Sequence, residues 1–180
     1  MRLKVATILA VFATAFASSA WADLPPDLAA KVEGVKKKLV EWAANPTIVA
    51  AVKAANGSDG LVAGMSNSKW DELTDKDPVV LGFQTSPAGK LAVEWEKDKT
   101  IGKLYVRDQK GNLVASSLNK PILYNAASRP PFIQAMKGAA WNTTEVKQDP
   151  TTQAKSIQVS APVLDGGKPI GVIHTSVGVE

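Results

Sequence analysis

The feature of this 180-residue sequence that most restricts its fold is a pair of alternating apolar stretches near the carboxyl end. They are separated by Asp165-Gly166-Gly167-Lys168, a combination typical of a tight turn. Before the turn, apolar residues alternate with polar ones over residues 157–163, and residues 170–177 return after it. This pattern predicts an antiparallel hairpin. Residues 104–115 repeat the plan around Asp108-Gln109-Lys110-Gly111, so we expect two hairpins in one antiparallel sheet.

The residues before the hairpins carry the signals of helices. Apolar residues at helical spacing predict one amphipathic helix over residues 28–44. Asn45-Pro46 is typical of a capping residue followed by proline at the first helical position, so a second helix should begin there and end near Asn56. Ser68 and Ser86-Pro87 predict the starts of two further helices. Helices followed by an antiparallel sheet indicate the α+β class.

Residues 1–22 have the features of a secretory signal peptide. A basic start precedes an apolar run that ends at about Phe16, and the small-residue motif Ala20-Trp21-Ala22 follows. The run is shorter than the roughly 20 residues that span a bilayer. We therefore expect cleavage before Asp23, which leaves one domain over residues 23–180 in the periplasm or outside the cell. A retained anchor is the alternative.

Composition excludes several classes of function. The chain has no cysteine, which rules out disulfides and thiolate metal sites, and one histidine, His174. The leader holds two of the 21 basic residues and no acidic residue, so the rest has a net charge of only +2, without a basic cluster suited to nucleic acid. No phosphate-binding loop, nucleotide fingerprint or nucleophile elbow is present. We predict a protein that is not an enzyme and carries no cofactor or metal.

The irregular stretch between the hairpins, residues 118–150, is where a binding site is expected, because long irregular connections often carry function. Pro130-Pro131 predicts a short helix, and Arg129 beside its start would favour an anion. A surface arginine that caps a turn is the alternative. The stretch also holds side chains that could contact a small polar or aromatic ligand: Tyr124, Asn125, Arg129, Phe132 and Trp141.

Three segments together resemble a known family. Residues 105–116 (YVRDQKGNLVAS), 128–138 (SRPPFIQAMKG) and 160–172 (SAPVLDGGKPIGV) are similar, in order and spacing, to motifs of the Cache or PDC domains. These domains are extracytoplasmic PAS-like sensor modules, and the stretch from the first motif to the last, residues 105–172, covers about two fifths of residues 23–180.

The resemblance implies a five-stranded antiparallel sheet with the long N-terminal helix on one face and a ligand pocket on the other. In the family this pocket binds small metabolites such as carboxylates or amino acids. The position that often contacts a ligand carboxylate corresponds to Arg129. Tyr124 is the candidate upstream aromatic, although it lies five residues before Arg129 rather than three. Tyr105, which opens the first motif, is a further candidate contact.

One departure from the family pattern bears on the ligand. Amino-acid-binding members carry an aspartate on the final strand that pairs with the ligand's ammonium, and this chain has Ser176 there. An α-amino acid is therefore disfavoured, and a carboxylate or a neutral polar metabolite is expected. Since side chains alternate along a strand, His174 shares the face of Ser176 and should line the same pocket. If it does, its charge could make binding depend on pH near neutrality; a hydrogen-bonded structural histidine is the alternative.

The sequence thus predicts an exported, single-module sensor that binds a small molecule and passes the signal to a separate protein, a receptor or transporter. We also expect that the long N-terminal helix could pair in a homodimer. The alternative is a periplasmic accessory module whose pocket is vestigial.

Overall fold

The computed structural model describes residues 24–149 and 153–179, so the predicted signal peptide lies outside the described residues. Five helices come first: α1 (Pro26–Ala43), α2 (Pro46–Asn56), α3 (Asn67–Glu72), α4 (Pro78–Thr85) and α5 (Pro87–Trp95). They are followed by strands β1 (Leu104–Asp108) and β2 (Leu113–Ser116), and by helix α6 (Pro130–Ala135). Strands β3 (Trp141–Asn142), β4 (Lys147–Gln148), β5 (Lys155–Asp165) and β6 (Lys168–Gly178) close the fold. None of the described helices is both long enough and apolar enough to cross a membrane.

Local capping chemistry explains where most of the helices begin. The side chain of Asn45 accepts a hydrogen bond from the amide of Thr47, and Ser86 accepts one from Gly89, as predicted. One prediction was wrong and one helix was missed. Ser66, rather than Ser68, caps α3 by accepting from Lys69. Helix α4 was not predicted, although Asp77 caps its start ahead of a proline just as Asn45 does for α2.

The strands form one antiparallel sheet in the order β2-β1-β6-β5-β3, with β4 also paired to β5. The turn between β5 and β6 is Gly166-Gly167, whose φ angles of 56° and 79° suit the tight hairpin turns that need left-handed residues. Six strands are present among the described residues where five were expected. The outer position beside β5 is divided between two short pieces, β3 and β4. The predicted α+β class is confirmed.

The two faces of the sheet have different partners. Helices α1 and α2 pack on one face, where their buried side chains meet those of the central strands in the main core. Representative members are Leu39, Ile48, Val106, Val159 and Ile173. On the opposite face, α6 packs on Val172 through Phe132 and Ala135. The sheet face that contacts α1 and α2 is therefore filled by apolar side chains, and the face that contacts α6 holds the site described next.

Candidate ligand-binding cavity

A cavity of about 420 Å³ lies on the sheet face opposite α1. Its floor is made by the side chains that β1, β5 and β6 present on that face, and residues 121–132 cover it. Residues 143–149, which we call the edge segment, form a further wall. Its lining residues are Lys103, Tyr105, Arg107, Pro121, Ile122, Leu123, Ala126, Arg129, Pro130, Pro131, Phe132, Thr143, Lys147, Gln148, Asp149, Gln158 and His174.

Arg107 fastens the cover of the cavity to the sheet. The residue is 2% exposed, and its guanidinium donates to the carbonyl oxygens of Tyr124 (2.7 Å), Gly111 (3.1 Å) and Leu123 (3.2 Å). Its Nε also donates to Nε2 of His174 at 3.1 Å. Burial lowers the pKa of Arg107 to about 10, so the side chain remains a cation at neutral pH.

His174 lies in the cavity wall as a neutral ring. A guanidinium has only donors, so Nε2 of His174 must accept, and the proton of the neutral imidazole is on Nδ1. Burial, and then the charges of Arg107 and Lys103, hold the pKa of His174 well below 6.5. The expectation that His174 changes charge near neutrality is therefore wrong, because the cations beside it and its burial oppose a further positive charge.

A buried ion pair lies at the edge of the same floor. Lys103 Nζ contacts both carboxylate oxygens of Asp149, at 2.6 Å and 2.5 Å, and Gln158 Nε2 donates to Oδ2 of Asp149 at 2.9 Å. The side chains of Lys103 and Asp149 are 5% and 0% exposed. Burial lowers the pKa of Lys103, and the carboxylate of Asp149 opposes that shift. The pair connects the floor to the edge segment.

The charges around the cavity favour an anion. Four lining side chains are cationic, Lys103, Arg107, Arg129 and Lys147, and one is a carboxylate, Asp149. Arg129 is exposed at the rim, and its side chain does not cap α6. A negatively charged ligand in this cavity would gain more from the surrounding charges than a positively charged one.

Three of the predicted site residues line the cavity, namely Arg129, Tyr105 and His174. Phe132, which the sequence also indicated as a possible contact, lines it as well. The ring centroids of Tyr105 and His174 are 5.1 Å apart, on neighbouring strands. Whether these three residues contact a ligand stays a prediction.

The other four predicted residues are not among the lining residues. Tyr124 is 1% exposed because its ring packs between Trp70 and Phe83, so only its backbone, through Arg107, supports the site. The side chain of Asn125 binds the backbone of the turn between β1 and β2 instead of facing the cavity.

Trp141 and Ser176 lie beyond the cavity for a different reason. Trp141 pairs with Ser160, and Ser160 pairs with His174, so Trp141 lies on the cavity face but at the outer edge of the sheet. Ser176 shares the face of His174, as strand alternation predicted, but it is buried next to Gly102 past the end of the cavity.

Seven polar lining residues were not predicted from the sequence: Lys103, Arg107, Thr143, Lys147, Gln148, Asp149 and Gln158. Alternation along β1 places Lys103 and Arg107 on the face of Tyr105, a signal that was available but not used. Alternation along β5 likewise places Gln158 on the cavity face. Asp149 has no comparable local signal, because only the pairing of the edge segment with β5 brings it to Lys103.

No family model matches the chain, and no curated protein matches it significantly. Several solved structures are similar. The sensor domain of the Vibrio cholerae histidine kinase DctB has 19% identity and a TM-score of 0.45, over 84% of this chain and 57% of that one. The sensory domain of the Campylobacter jejuni chemoreceptor Tlp3, with isoleucine bound, has 13% identity and a TM-score of 0.43, over 87% and 64%. The ligand-binding domain of the Pseudomonas aeruginosa amino acid chemoreceptor PctC, in complex with GABA, has 16% identity and a TM-score of 0.38, over 83% and 62%.

This chain therefore spans about three fifths of the length of those domains. These solved structures are sensor and ligand-binding domains of a histidine kinase and of two chemoreceptors.

Proposed function

We propose that this protein is an extracytoplasmic sensor that binds a small carboxylate in the cavity and passes the signal to a separate protein. The observation that carries the proposal is the cavity of about 420 Å³ on the sheet face opposite α1, where four cationic side chains face one carboxylate. Its cover contains Arg129, in the segment that resembles the ligand-contacting motif of Cache domains. Export rests on the signal-peptide features of residues 1–22.

The charges favour a carboxylate over an amine or an amino acid. The cavity's carboxylate, Asp149, is held by Lys103 and Gln158, so it is committed within the protein. An ammonium group would meet Arg107 and Lys103 without a carboxylate free to pair with it. A neutral polar metabolite is the second choice, since Tyr105 and the neutral His174 offer polar contacts without requiring charge.

The function requires no chemical step, and we propose none. The output partner would be a receptor or transporter that distinguishes the occupied protein from the empty one. Pairing of two copies through α1 remains our proposal for self-association, by analogy with the long helices of related sensors.

Three ligands of nearly equal size and different charge test the proposal: propionate, propionamide and propylamine. We expect propionate to raise the melting temperature most, propionamide less and propylamine not at all, because a ligand that binds the folded state stabilises it. Calorimetric titration would then give the affinities.

Arg129→Ala should weaken propionate about tenfold. A charge-assisted hydrogen bond contributes roughly 1.5–3 kcal/mol, and the exposed rim position places Arg129 at the lower end. Lys137→Ala is the matched control, because Lys137 is an exposed cation just after α6 that does not line the cavity. Equal affinity in Arg129→Ala would remove that residue from the site. No stabilisation by any of the three compounds, or by a wider panel of carboxylates, would favour the accessory module with a vestigial pocket.

A further inference from the structure

The contacts of Asp149 have the form of an occupied carboxylate site. An ammonium, Lys103 Nζ, lies within 2.6 Å of both oxygens, and an amide N–H of Gln158 reaches one oxygen at 2.9 Å. The two donors come from different parts of the sheet, since Lys103 precedes β1 and Gln158 lies on β5. The carboxylate comes from a third place, the end of the edge segment. All three residues line the cavity.

We propose that Lys103 and Gln158 form a carboxylate-binding subsite, which Asp149 fills in this structure and which an anionic ligand fills in its place. The inference deepens the proposed function and rests on it, because it names the donors that would hold the ligand's carboxylate. It also assigns Asp149 a role in specificity, as the internal competitor that a ligand must displace.

The exchange is chemically reasonable because the carboxylate of the ligand replaces the carboxylate of Asp149. Lys103 is buried, so leaving its charge without a carboxylate would be costly. A ligand carboxylate that takes the same two donors preserves the charge-assisted hydrogen bonds of Lys103 and Gln158. The displaced carboxylate of Asp149 would then be hydrated by water outside the cavity. An alkylammonium offers Lys103 no acceptor, and a neutral amide offers an acceptor without the negative charge that balances Lys103. The competition with Asp149 therefore selects for anions.

Displacement of Asp149 would loosen the edge segment. Other contacts also hold that segment, among them the pairs Lys147–Ser156 and Gln148–Lys155, the bonds between Thr143 and Gln158, and the backbone bonds of Asp149 with Ala154 and Gln153. The side chains of Lys147 and Gln148 are exposed. Occupancy of the subsite would therefore alter an exposed edge of the sheet, a surface that a partner protein can contact.

Rescue by acetate tests the subsite directly. Asp149→Ala should melt at a lower temperature than the wild type, and about 50 mM acetate should restore several degrees, at least about threefold more than the rise that it causes in the wild type. Ethylamine should restore nothing. The double variant Asp149→Ala with Lys103→Met should lose the response to acetate. Asp59→Ala is the matched control, because Asp59 forms an exposed pair with Lys110 at 2.7 Å, and acetate should not rescue it.

If Asp149→Ala does not fold, Asp149→Asn keeps the shape and removes the competing charge. We expect this variant to bind propionate about tenfold more tightly than the wild type. Affinity that is equal or weaker would overturn the inference, as would acetate stabilising Asp149→Ala no more than the wild type.

Hydrogen exchange separates this inference from the proposed function. In the wild type, propionate should increase amide exchange in residues 143–149. Propionate binding in calorimetry with unchanged exchange there would overturn the displacement of Asp149 while the proposed function stands. Rescue of Asp149→Ala by acetate, together with no binding of any carboxylate to the wild type, would support the subsite chemistry and refute the proposed function.

Discussion

Replacing Arg107 with methionine should destabilise the protein strongly, because one buried guanidinium holds the cover of the cavity on the sheet. Methionine has a similar length and can occupy the same space, but it donates no hydrogen bond. The substitution would leave four acceptors without this donor: the carbonyl oxygens of Gly111, Leu123 and Tyr124, and Nε2 of His174.

Two of the four acceptors keep a backbone donor, because the carbonyl of Gly111 also accepts from the amide of Ala126 and that of Tyr124 from the amide of Leu113. The expected loss therefore comes mainly from the carbonyl of Leu123 and from Nε2 of His174. A buried acceptor without a partner costs about 1–3 kcal/mol. Part of that cost is recovered, because the desolvated charge of Arg107 is removed and water in the cavity can reach some of the acceptors. We therefore expect a net loss of about 3 kcal/mol in the free energy of unfolding, within the range for breaking a buried charged network. For a domain of this size that is a fall of roughly 6–12 °C in melting temperature.

Urea unfolding followed by circular dichroism would measure the loss, and two variants make the result specific. Arg107→Lys keeps a charge but has fewer donors in a different geometry, so it should lose an intermediate amount. Lys110→Met removes an exposed cation from the turn between β1 and β2 and should cause no measurable change. A loss below about 1 kcal/mol for Arg107→Met would refute the view that this residue holds the cover.

Two further predictions concern the histidine and the glycines. In the folded protein, His174 should titrate well below pH 6.5 when followed by nuclear magnetic resonance. As the pH falls, the unfolded chain is protonated at this residue before the folded protein is. The free energy of unfolding should therefore decrease below about pH 6.5, by up to about 1.4 kcal/mol per pH unit. A group titrating near 6.5 in the folded protein would contradict this. Gly34→Ala, where a Cβ meets nothing within 4 Å, should raise stability by up to about 1 kcal/mol. Gly89→Ala places a Cβ 2.2 Å from the carbonyl oxygen of Phe83 and should lower stability by about 1–3 kcal/mol. Equal changes in the free energy of unfolding for Gly34→Ala and Gly89→Ala would contradict this prediction.

Much of the secondary structure was predictable from the sequence because its causes are local. A capping side chain next to a proline restricts the first turn of a helix, so Asn45-Pro46 and Ser86-Pro87 were sufficient to place α2 and α5. Two glycines between alternating stretches were sufficient to predict the hairpin of β5 and β6. Strands β3 and β4 were not predicted, since two residues are too few to show a period.

The candidate site depended more on packing. Alternation along β6 placed His174 on the cavity face correctly, because the direction of a strand side chain is a local property. Tyr124 was wrongly expected in the cavity, since its neighbours Trp70 and Phe83 come from helices distant in sequence.

The sequence by itself determined most of the helices, the two hairpins and the faces of their strands, all of which depend on residues a few positions apart. Only the tertiary structure decided the protonation of His174 and the partner of Lys103. Arg107 and His174 are 67 residues apart, and Lys103 and Asp149 are 46 apart. Contacts over such separations arise from the way the strands pair and the edge segment folds against them. The charges around the cavity therefore depend on the assembled sheet and not on neighbouring residues in the sequence.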